Sequence, residues 1–303
     1  MSPQKMRVLL TLVAAFLAMS GVMGLKPGAN VQAQAQHRAP APTPVRLYVL
    51  NCGKLKISDT SVYGFAPSDL AATDMPVPCF LVAHPKGTLM WDTGVLPDKV
   101  LASGGSVTQG NPGSSAMATV TMPLKTQLAE IGYAPADITY LALSHCHWDH
   151  TANANDFARA TWLVRQEERD AMFAQPPTFA RCLTQQTFSA LKNSKTVILK
   201  SDEYDVFGDG TVIIKSAPGH TPGHQVLFLK LRKTGPVLLS GDLYHYPEER
   251  AAHRVPKTDF NGDQTAASRV AIEAFLKKTG AQLWIKHDFT ATAKLKKAPA
   301  FYD

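Results

Sequence analysis

Apolar residues recur along the chain in short runs separated by polar turns, beginning near Val45. The runs are rich in β-branched and aromatic residues, which is typical of strands with buried faces. Ten such runs lie at 46–51, 78–84, 88–91, 140–143, 161–164, 196–199, 211–215, 225–231, 237–239 and 282–285. The pattern therefore predicts a domain that contains a large amount of β-sheet.

Three segments between these strands have apolar residues at helical spacing, at 123–131, 166–173 and 264–278. The last helix is the clearest, and we expect its apolar face to carry Ala267, Val270, Ala271, Ala274 and Phe275, with Gly280 closing it. Strands and helices come in two similar series. This order fits an α/β fold of two mixed sheets flanked by helices, built as one domain over residues 45–303.

The N-terminal segment has a different composition. Lys5 and Arg7 precede an apolar stretch at 8–23, and small residues follow as far as Ala35. This order predicts a signal peptide at 1–35, and three prolines then predict an extended linker at 36–44. An uncleaved anchor is the alternative, but the apolar stretch is shorter than the roughly 20 residues of a spanning helix. We therefore expect a periplasmic or secreted protein with no stable membrane insertion after cleavage.

Charge and cysteine content narrow the choice of partners. The net charge of +7 falls to about +4 without residues 1–35, which hold three bases and no acids. No dense basic run is present, so nucleic acid is not an expected partner. The four cysteines show no C-x-x-C spacing; a Cys52–Cys79 bridge and buried free thiols both remain open. A homodimer is also left open.

The candidate chemistry begins in the six residues His145-Cys146-His147-Trp148-Asp149-His150. Imidazole and carboxylate groups are good ligands for Zn²⁺ and similar ions. In an extended segment, residues two apart project to the same side, so His145 and His147 can face one ion. Asp149 and His150 lie beyond a change of direction and can face a second ion.

Four further polar residues follow predicted strands or stand in the turns beside them: Asp92, His220, Asp242 and His287. Loops at strand ends expose side chains that the strand holds in position, and α/β proteins place their chemistry there. The sequence therefore predicts that these distant residues join the six-residue cluster.

Together these residues resemble the dinuclear site of the metallo-β-lactamase superfamily, and most of all that of the N-acyl homoserine lactonases. The resemblance is carried by Asp92-Thr93-Gly94, by Ser144 to His150, by Gly219-His220-Thr221-Pro222-Gly223-His224-Gln225 and by His287-Asp288. It implies an αββα sandwich with metals at one edge of the sheets. It also implies a quorum-quenching hydrolase that opens a small-molecule lactone or ester.

The resemblance assigns a role to each residue of the set. His145, His147 and His220 would hold one metal, Asp149, His150 and His287 the other, and Asp242 would bridge them. Zn²⁺ is the expected ion, with Fe, Mn or Co as alternatives. A water shared by two cations loses a proton readily, and the resulting hydroxide would attack the carbonyl group. Asp149 is then a candidate to carry the proton to the leaving alkoxide.

Substrate contacts are less well defined, because the chain departs from the family pattern. The resembled lactonases place a tyrosine three residues beyond the bridging aspartate, where this chain has His245. We therefore predict the neighbouring Tyr244 as the carbonyl hydrogen-bond donor and place His245 and Trp148 in the substrate pocket. Asp92 is expected to orient a ligand histidine.

Other functions on the same scaffold are distinguished by specific features. The resembled zinc β-lactamases lack a bridging aspartate, and a glyoxalase-II-type thioesterase needs glutathione, which fits an exported protein poorly. A flavodiiron oxidoreductase would carry a glutamate in place of one ligand and an added domain. A non-catalytic metal-binding protein would be favoured by a missing ligand. A phosphotriesterase is harder to separate, because two-metal sites also stabilise phosphoryl transfer.

Overall fold

The computed structural model describes residues 44–101, 105–110, 116–175, 179–182 and 185–303. The predicted signal peptide at 1–35 and all but the last residue of the predicted linker at 36–44 lie outside the described residues. These two assignments therefore stay predictions.

Within the described residues, the regular elements are strands and α-helices, with several short 3-10 helices in the connections. The strands are β1 (Arg46–Ile57), β2 (Met75–His84), β3 (Gly87–Trp91), β4 (Val107–Gly110), β5 (Ala116–Val120), β6 (Tyr140–Ala142), β7 (Thr161–Val164), β8 (Thr196–Ile198), β9 (Glu203–Asp205), β10 (Val212–Ser216), β11 (Gln225–Leu231), β12 (Gly235–Leu239), β13 (Gln282–Trp284) and β14 (Phe301–Tyr302). The helices are α1 (Leu124–Glu130), α2 (Trp148–Thr151), α3 (Gln166–Phe173), α4 (Gln185–Phe188), α5 (Pro247–Ala252), α6 (Gly262–Thr279) and α7 (Phe289–Lys294).

The strands form two mixed sheets. The first has the order β4-β5-β1-β2-β3-β6-β7-β8, with β14 also paired to β1. Its β1, β2, β3 and β5 pairs are antiparallel, whereas β3, β6, β7 and β8 run parallel to one another. The second has the order β13-β12-β11-β10-β9 and is parallel only between β12 and β13. As a result, β3, β6, β7 and β8 end at one edge of the first sheet.

The apolar side chains define four layers. Phe80, Trp91 and Leu163 of the first sheet pack with Leu227 and Leu239 of the second to form the interior of the sandwich. Each such side chain contributes about 1.5–3 kcal/mol when it is fully buried. The helices cover the two outer faces, and the predicted αββα architecture is therefore confirmed.

The outer layers hold the helices in place. Leu128 of α1, Met172 of α3 and Phe188 of α4 pack in one cluster with Leu81 and Trp162 of the first sheet. On the far side, the outer face of the second sheet packs against α6 through Phe228, Leu238, Ile272 and Leu276. Each sheet is thus apolar on both faces.

Helix α6 occurs where it was predicted, but its fully buried residues lie on the opposite face, and of the five predicted residues only Phe275 packs against the second sheet. The buried residues are Thr265, Ser268, Arg269, Ile272 and Leu276, whereas Val270 is 72% exposed. The side chain of Asn261 caps the helix by accepting from Gln264 N–H, and Gly280 ends it with φ of 67°. The expected face was wrong because polar side chains of this helix make buried hydrogen bonds near the strand-end loops.

No helix in the described part of the chain is both long and apolar enough to cross a membrane.

All four cysteines are paired. Cys52 of β1 bonds to Cys79 of β2, with 5.7 Å between their Cα atoms. Cys146 bonds to Cys182, with 5.2 Å between Cα atoms. The first bridge settles the alternative that the sequence left open, and the second joins the six-residue histidine segment to a distant turn.

The first bridge should contribute to stability because it closes a loop between positions 27 residues apart. We expect the double variant Cys52→Ala/Cys79→Ala to lose about 3 kcal/mol of unfolding free energy. Urea unfolding of the variant and of the oxidised parent measures this difference. A variant within about 0.5 kcal/mol of the parent would show that the bridge adds nothing to folding.

Candidate metal centre

The histidine-rich segment follows strand β6, which lies between β3 and β7 in the first sheet. His145 and His147 follow this strand, and His147, whose backbone is extended, precedes the first residue of α2. Asp149 and His150 lie in α2 itself. The chain enters the helix between the two pairs, and His145 and His147 lie in one group of close donor atoms whereas Asp149 and His150 lie in another.

The first cluster of donor atoms contains three histidines and one aspartate. His145 Nε2 lies 2.9 Å from His147 Nδ1, which lies 3.0 Å from His220 Nε2. Asp242 Oδ2 completes the group at 3.4 Å from His220 Nε2 and 3.6 Å from His145 Nε2. All four residues are buried, and their donor atoms lie within 4.8 Å of one another.

The second cluster contains two aspartates and two histidines. His150 Nε2 lies 3.4 Å from Asp149 Oδ2 and 3.2 Å from Asp242 Oδ1. His287 Nε2 lies 3.6 Å from Asp149 Oδ2 and 3.1 Å from Asp242 Oδ1. Asp242 therefore offers one carboxylate oxygen to each cluster, and the structure brings all seven predicted ligands together.

The donor chemistry of these residues fits a pair of cations. His150 Nε2 and Asp242 Oδ1 are buried without a hydrogen-bond partner among the described residues. Buried polar atoms are normally satisfied, so an unpartnered lone pair beside an unpartnered carboxylate oxygen needs a partner such as a metal ion. Nitrogen and carboxylate oxygen at this spacing are the donors that Zn²⁺ and similar ions use.

The surroundings of the first cluster favour the protonation states in which its side chains can bind a metal. Burial and the neighbouring histidines hold the pKa of His145 and of His147 well below its usual range, which keeps both rings neutral. Burial alone would raise the pKa of Asp242, but His150 and His287 hold it well below its usual range. The first cluster therefore presents the neutral rings of His145 and His147 beside the ionised carboxylate of Asp242, which is the state that a metal requires.

Outer hydrogen bonds fix the ring orientations. His287 Nδ1–H donates to the Pro76 carbonyl oxygen at 2.8 Å, and His145 Nδ1–H donates to Ser144 Oγ at 3.0 Å. His224 behaves differently, since its Nδ1–H donates to the Ala217 carbonyl and its Nε2 accepts from the Asp242 backbone at 2.9 Å. His224 thus holds the backbone of the shared aspartate.

His220 is positioned by a residue that the sequence analysis missed. Its Nδ1–H donates to Asp259 Oδ1 at 2.9 Å, and Thr265 of α6 donates to the other Asp259 oxygen at 2.7 Å. Gly219 has φ of 131°, and a Cβ atom there would lie 2.2 Å from Thr265 N. Glycine therefore allows α6 to approach the His220 loop.

Glu168 of α3 is a second residue that the sequence did not reveal. Its carboxylate accepts from Cys146 N–H at 2.7 Å and from the Thr221 hydroxyl and Gly223 N–H, both at 2.8 Å. Burial raises its pKa to about 7, although these three donors oppose the shift. Glu168 thereby ties the histidine-rich segment to the loop that carries His220.

Asp92 lies where the sequence predicted a ligand-orienting carboxylate. It accepts from His150 Nδ1–H at 3.0 Å and from the backbone and hydroxyl of Ser144 at 2.7 and 3.0 Å. Lys286, which was not predicted, donates to the same carboxylate at 2.5 Å from a side chain that is almost fully buried. Burial would raise the pKa of Asp92, but Lys286 and His150 hold it below its usual range.

Tyr244 does not fit its predicted role. Its hydroxyl donates to Glu273 Oε1 at 3.0 Å, and the Arg269 guanidinium lies 4.3 Å from its ring centroid. Both partners belong to α6, and the ring packs in the outer cluster beneath that helix. The prediction failed because the chain after β12 turns this side chain toward α6, away from the seven ligands.

His245 occupies the position beside the metal ligands instead. Its Nε2 lies 3.3 Å from Asp242 Oδ2, and its Nδ1 lies 3.2 Å from Glu249 Oε1. The Glu249 carboxylate is also bonded to Arg269 at 2.6 Å. His245 is outside both groups of mutually close donors, so it borders the first cluster without completing it.

Trp148 lies between the ligands His147 and Asp149 and is partly buried against the core. It lines a cavity of about 380 Å³ whose apolar wall includes Val95, Leu96 and Val100. None of the seven ligands lines this cavity, and Trp148 as a substrate contact stays a prediction.

Comparison with known proteins identifies the class of this fold and site. The sequence profile of the metallo-beta-lactamase superfamily matches residues 72–284. The chain belongs to the metallo-β-lactamase superfamily, which confirms the family that the sequence motifs indicated and the predicted class of metal-dependent hydrolase.

Two relatives within the superfamily have a more narrowly defined activity than the superfamily as a whole. The chain is 31% identical over 271 residues to the N-acyl homoserine lactonase AttM of Azorhizobium caulinodans, which covers 86% of this chain and 100% of that protein. It is 32% identical over 267 residues to AttM of Rhizobium radiobacter, with 86% and 99% covered. The similarity therefore spans nearly the whole of both relatives.

Solved structures give the same fold. A Bacillus thuringiensis AiiA variant with N-decanoyl-L-homoserine bound at its active site matches with a TM-score of 0.71 and 24% identity, covering 86% of this chain and 100% of that one. At this level of identity the likeness concerns the fold alone.

The bond between Asp259 and His220 predicts a measurable effect on metal affinity. We expect Asp259→Asn to weaken binding at the first cluster by about 10-fold or more, because a neutral partner makes the His220 ring a poorer donor. Competition with a chromophoric chelator measures the dissociation constants. The exposed Asp263, changed to Asn, is the matched control and should bind as the parent does; equal affinities for all three proteins would contradict the assigned role.

Proposed function

We propose that this protein is an exported N-acyl homoserine lactonase that works with two divalent metal ions, with Zn²⁺ as the expected metal. The observation that carries the proposal is the pair of four-donor clusters that share Asp242, one carboxylate oxygen on each side. Two cations held this way are close enough to act on one reacting group.

His145, His147 and His220 would hold one ion, and Asp149, His150 and His287 the other, with Asp242 between them. Bound there, the ions would lower the pKa of a water molecule so that it can attack, and would polarise the substrate carbonyl. Buried surroundings strengthen every charge interaction in the centre. The surrounding residues fix each ring so that its donor atom does not have to reorganise during the reaction.

Asp149 is the proposed carrier of a proton to the leaving alkoxide. Its Oδ2 lies beside His150 and His287, and the pKa of this carboxyl is lowered because the charges on those histidines outweigh the effect of burial. An ionised carboxylate in this position can accept a proton as attack occurs and return it to the departing oxygen. With Asp149 in this role, the transfer of the proton to the leaving oxygen needs no other titratable group in the centre.

Support for a lactone substrate comes from the relatives at 31% and 32% identity, which are lactonases over almost their full length. The ligand set is complete, which argues against a non-catalytic metal-binding protein. A phosphotriester or β-lactam substrate would use the same metals, so it becomes an outcome of the assay.

The expected result is metal-dependent lactone hydrolysis. N-hexanoyl and N-decanoyl homoserine lactones should be opened, with one proton released per turnover, whereas paraoxon and nitrocefin should be turned over at least about 100-fold less efficiently. Removal of metal with a chelator should abolish the activity, and Zn²⁺ or Mn²⁺ should restore it. Inert lactones together with rapid turnover of paraoxon or nitrocefin would overturn the proposal.

The control for this experiment is a pair of histidine variants. His147→Ala should lose metal at the first cluster and lower kcat/KM by more than about 100-fold, because a first-cluster nitrogen is removed. His253→Asn should keep metal and activity, since His253 is exposed and its positive φ of 54° is tolerated by asparagine. Full activity in His147→Ala would place the catalytic centre elsewhere.

We also propose that the protein acts in the periplasm or outside the cell. The basic, apolar and small-residue order of the first 35 residues supports export, and so do the two disulfides, which persist in oxidising compartments.

Export predicts a defined mature chain. Protein recovered from the periplasm or medium of a bacterial host should begin near Gln34 or Gln36 and contain no free thiol. N-terminal sequencing and thiol titration measure both. Recovery of active protein only from the cytoplasm, with Met1 retained, would refute export.

A further inference from the structure

Tyr63 is an aromatic residue that packs beside the metal centre, against His245, from a part of the chain that the motifs do not include. It ends the short turn Ser61–Tyr63 after β1, and nothing in the sequence pattern around it indicated a functional role. The turn is held in place by Lys257 N–H, which donates to the Val62 carbonyl at 3.1 Å, and by the Arg254 guanidinium, which donates to the Gly64 carbonyl.

The ring of Tyr63 packs against the residue that borders the first cluster. Its centroid lies 4.8 Å from the His245 ring and 5.3 Å from the Tyr246 ring. The His245 ring in turn lies 4.9 Å from the ligand His220. Tyr63 therefore stands one side chain away from the metal ligands.

The Tyr63 hydroxyl has no hydrogen-bond partner among the described residues, in contrast to its neighbours. The Tyr246 hydroxyl donates to the Thr73 carbonyl at 2.9 Å, and the Tyr244 hydroxyl donates to Glu273. A partly buried phenol usually finds a partner. An unpaired donor at the edge of a catalytic centre is free to bond to a substrate.

The charges around Tyr63 keep its hydroxyl protonated. Burial raises its pKa well above the usual value, and the nearby Tyr246, Asp149 and Asp242 raise it further, against a smaller opposing effect of Arg181. The two carboxylates belong to the metal clusters. At neutral pH the group is a hydrogen-bond donor.

We propose that the Tyr63 hydroxyl donates a hydrogen bond to the carbonyl oxygen of the lactone and stabilises it as negative charge develops during attack. This inference rests on the proposed function, because it presupposes an ester carbonyl at the metals. A donor aimed at a developing oxyanion commonly contributes about 10²–10³ in kcat. Here it would share that charge with the metals, so a loss of about 10- to 100-fold is expected.

The test compares Tyr63→Phe with Tyr246→Phe in the mature enzyme, after removal of the signal peptide and loaded with Zn²⁺. Both changes remove one hydroxyl and keep the ring, but the Tyr246 hydroxyl is bonded to backbone at Thr73. We expect Tyr63→Phe to lower kcat for N-hexanoyl homoserine lactone by about 10- to 100-fold and Tyr246→Phe by less than about 3-fold. Metal content and thermal midpoint of Tyr63→Phe should equal those of the parent.

Each other outcome overturns the inference. If kcat of Tyr63→Phe stays within about 3-fold of the parent, the hydroxyl does not touch the reacting carbonyl. If activity falls together with metal content or stability, Tyr63 supports the fold instead of the substrate. If the parent does not open lactones at all, the proposed function fails, and that result is visible before any variant is compared.

Discussion

The shared carboxylate of Asp242 is the constraint on which the rest of this centre depends. One oxygen faces the cluster of His145 and His220, and the other faces that of His150 and His287. Ionised carboxylate and imidazole lone pairs are costly to bury unless something positive lies between them. The position of Asp242 therefore determines that the two clusters are adjacent, and it makes a pair of cations the natural partner of the site.

A second layer of hydrogen bonds gives this arrangement its rigidity. Asp92 accepts from His150 and from Ser144, while Ser144 also accepts from His145, so a single carboxylate is linked to a ring in each cluster. Lys286 pairs with Asp92 and compensates its charge in a place that water does not reach. The orientation of the ligand rings thus depends on hydrogen bonds from residues in several strand-end loops.

The sandwich positions these loops, and cross-links hold the loops to one another. Cys146, which lies between two metal-facing histidines, is bonded to Cys182, and its backbone N–H is held by Glu168 of α3. Glu168 also holds the loop of His220. The segment that carries the most ligands is therefore anchored on both sides, which suits a site whose donor atoms must stay within a few tenths of an ångström of the productive geometry.

The sequence by itself predicted ten of the fourteen described strands, because hydrophobic periodicity is a local property of the chain, but it did not predict β4, β5, β9 or β14. The αββα layers and the roles of the seven ligands followed from the resemblance of the motifs to a known family. The sequence did not determine which face of α6 is buried, since Thr265 and Arg269 make tertiary hydrogen bonds that outweigh the apolar stripe. It also could not show that Asp259, Lys286 and Tyr63 lie beside the centre. Nor could it show that the side chain of Tyr244 points toward α6 instead of toward the ligands. Those placements arise from contacts between segments far apart in sequence, and only the folded chain brings them together.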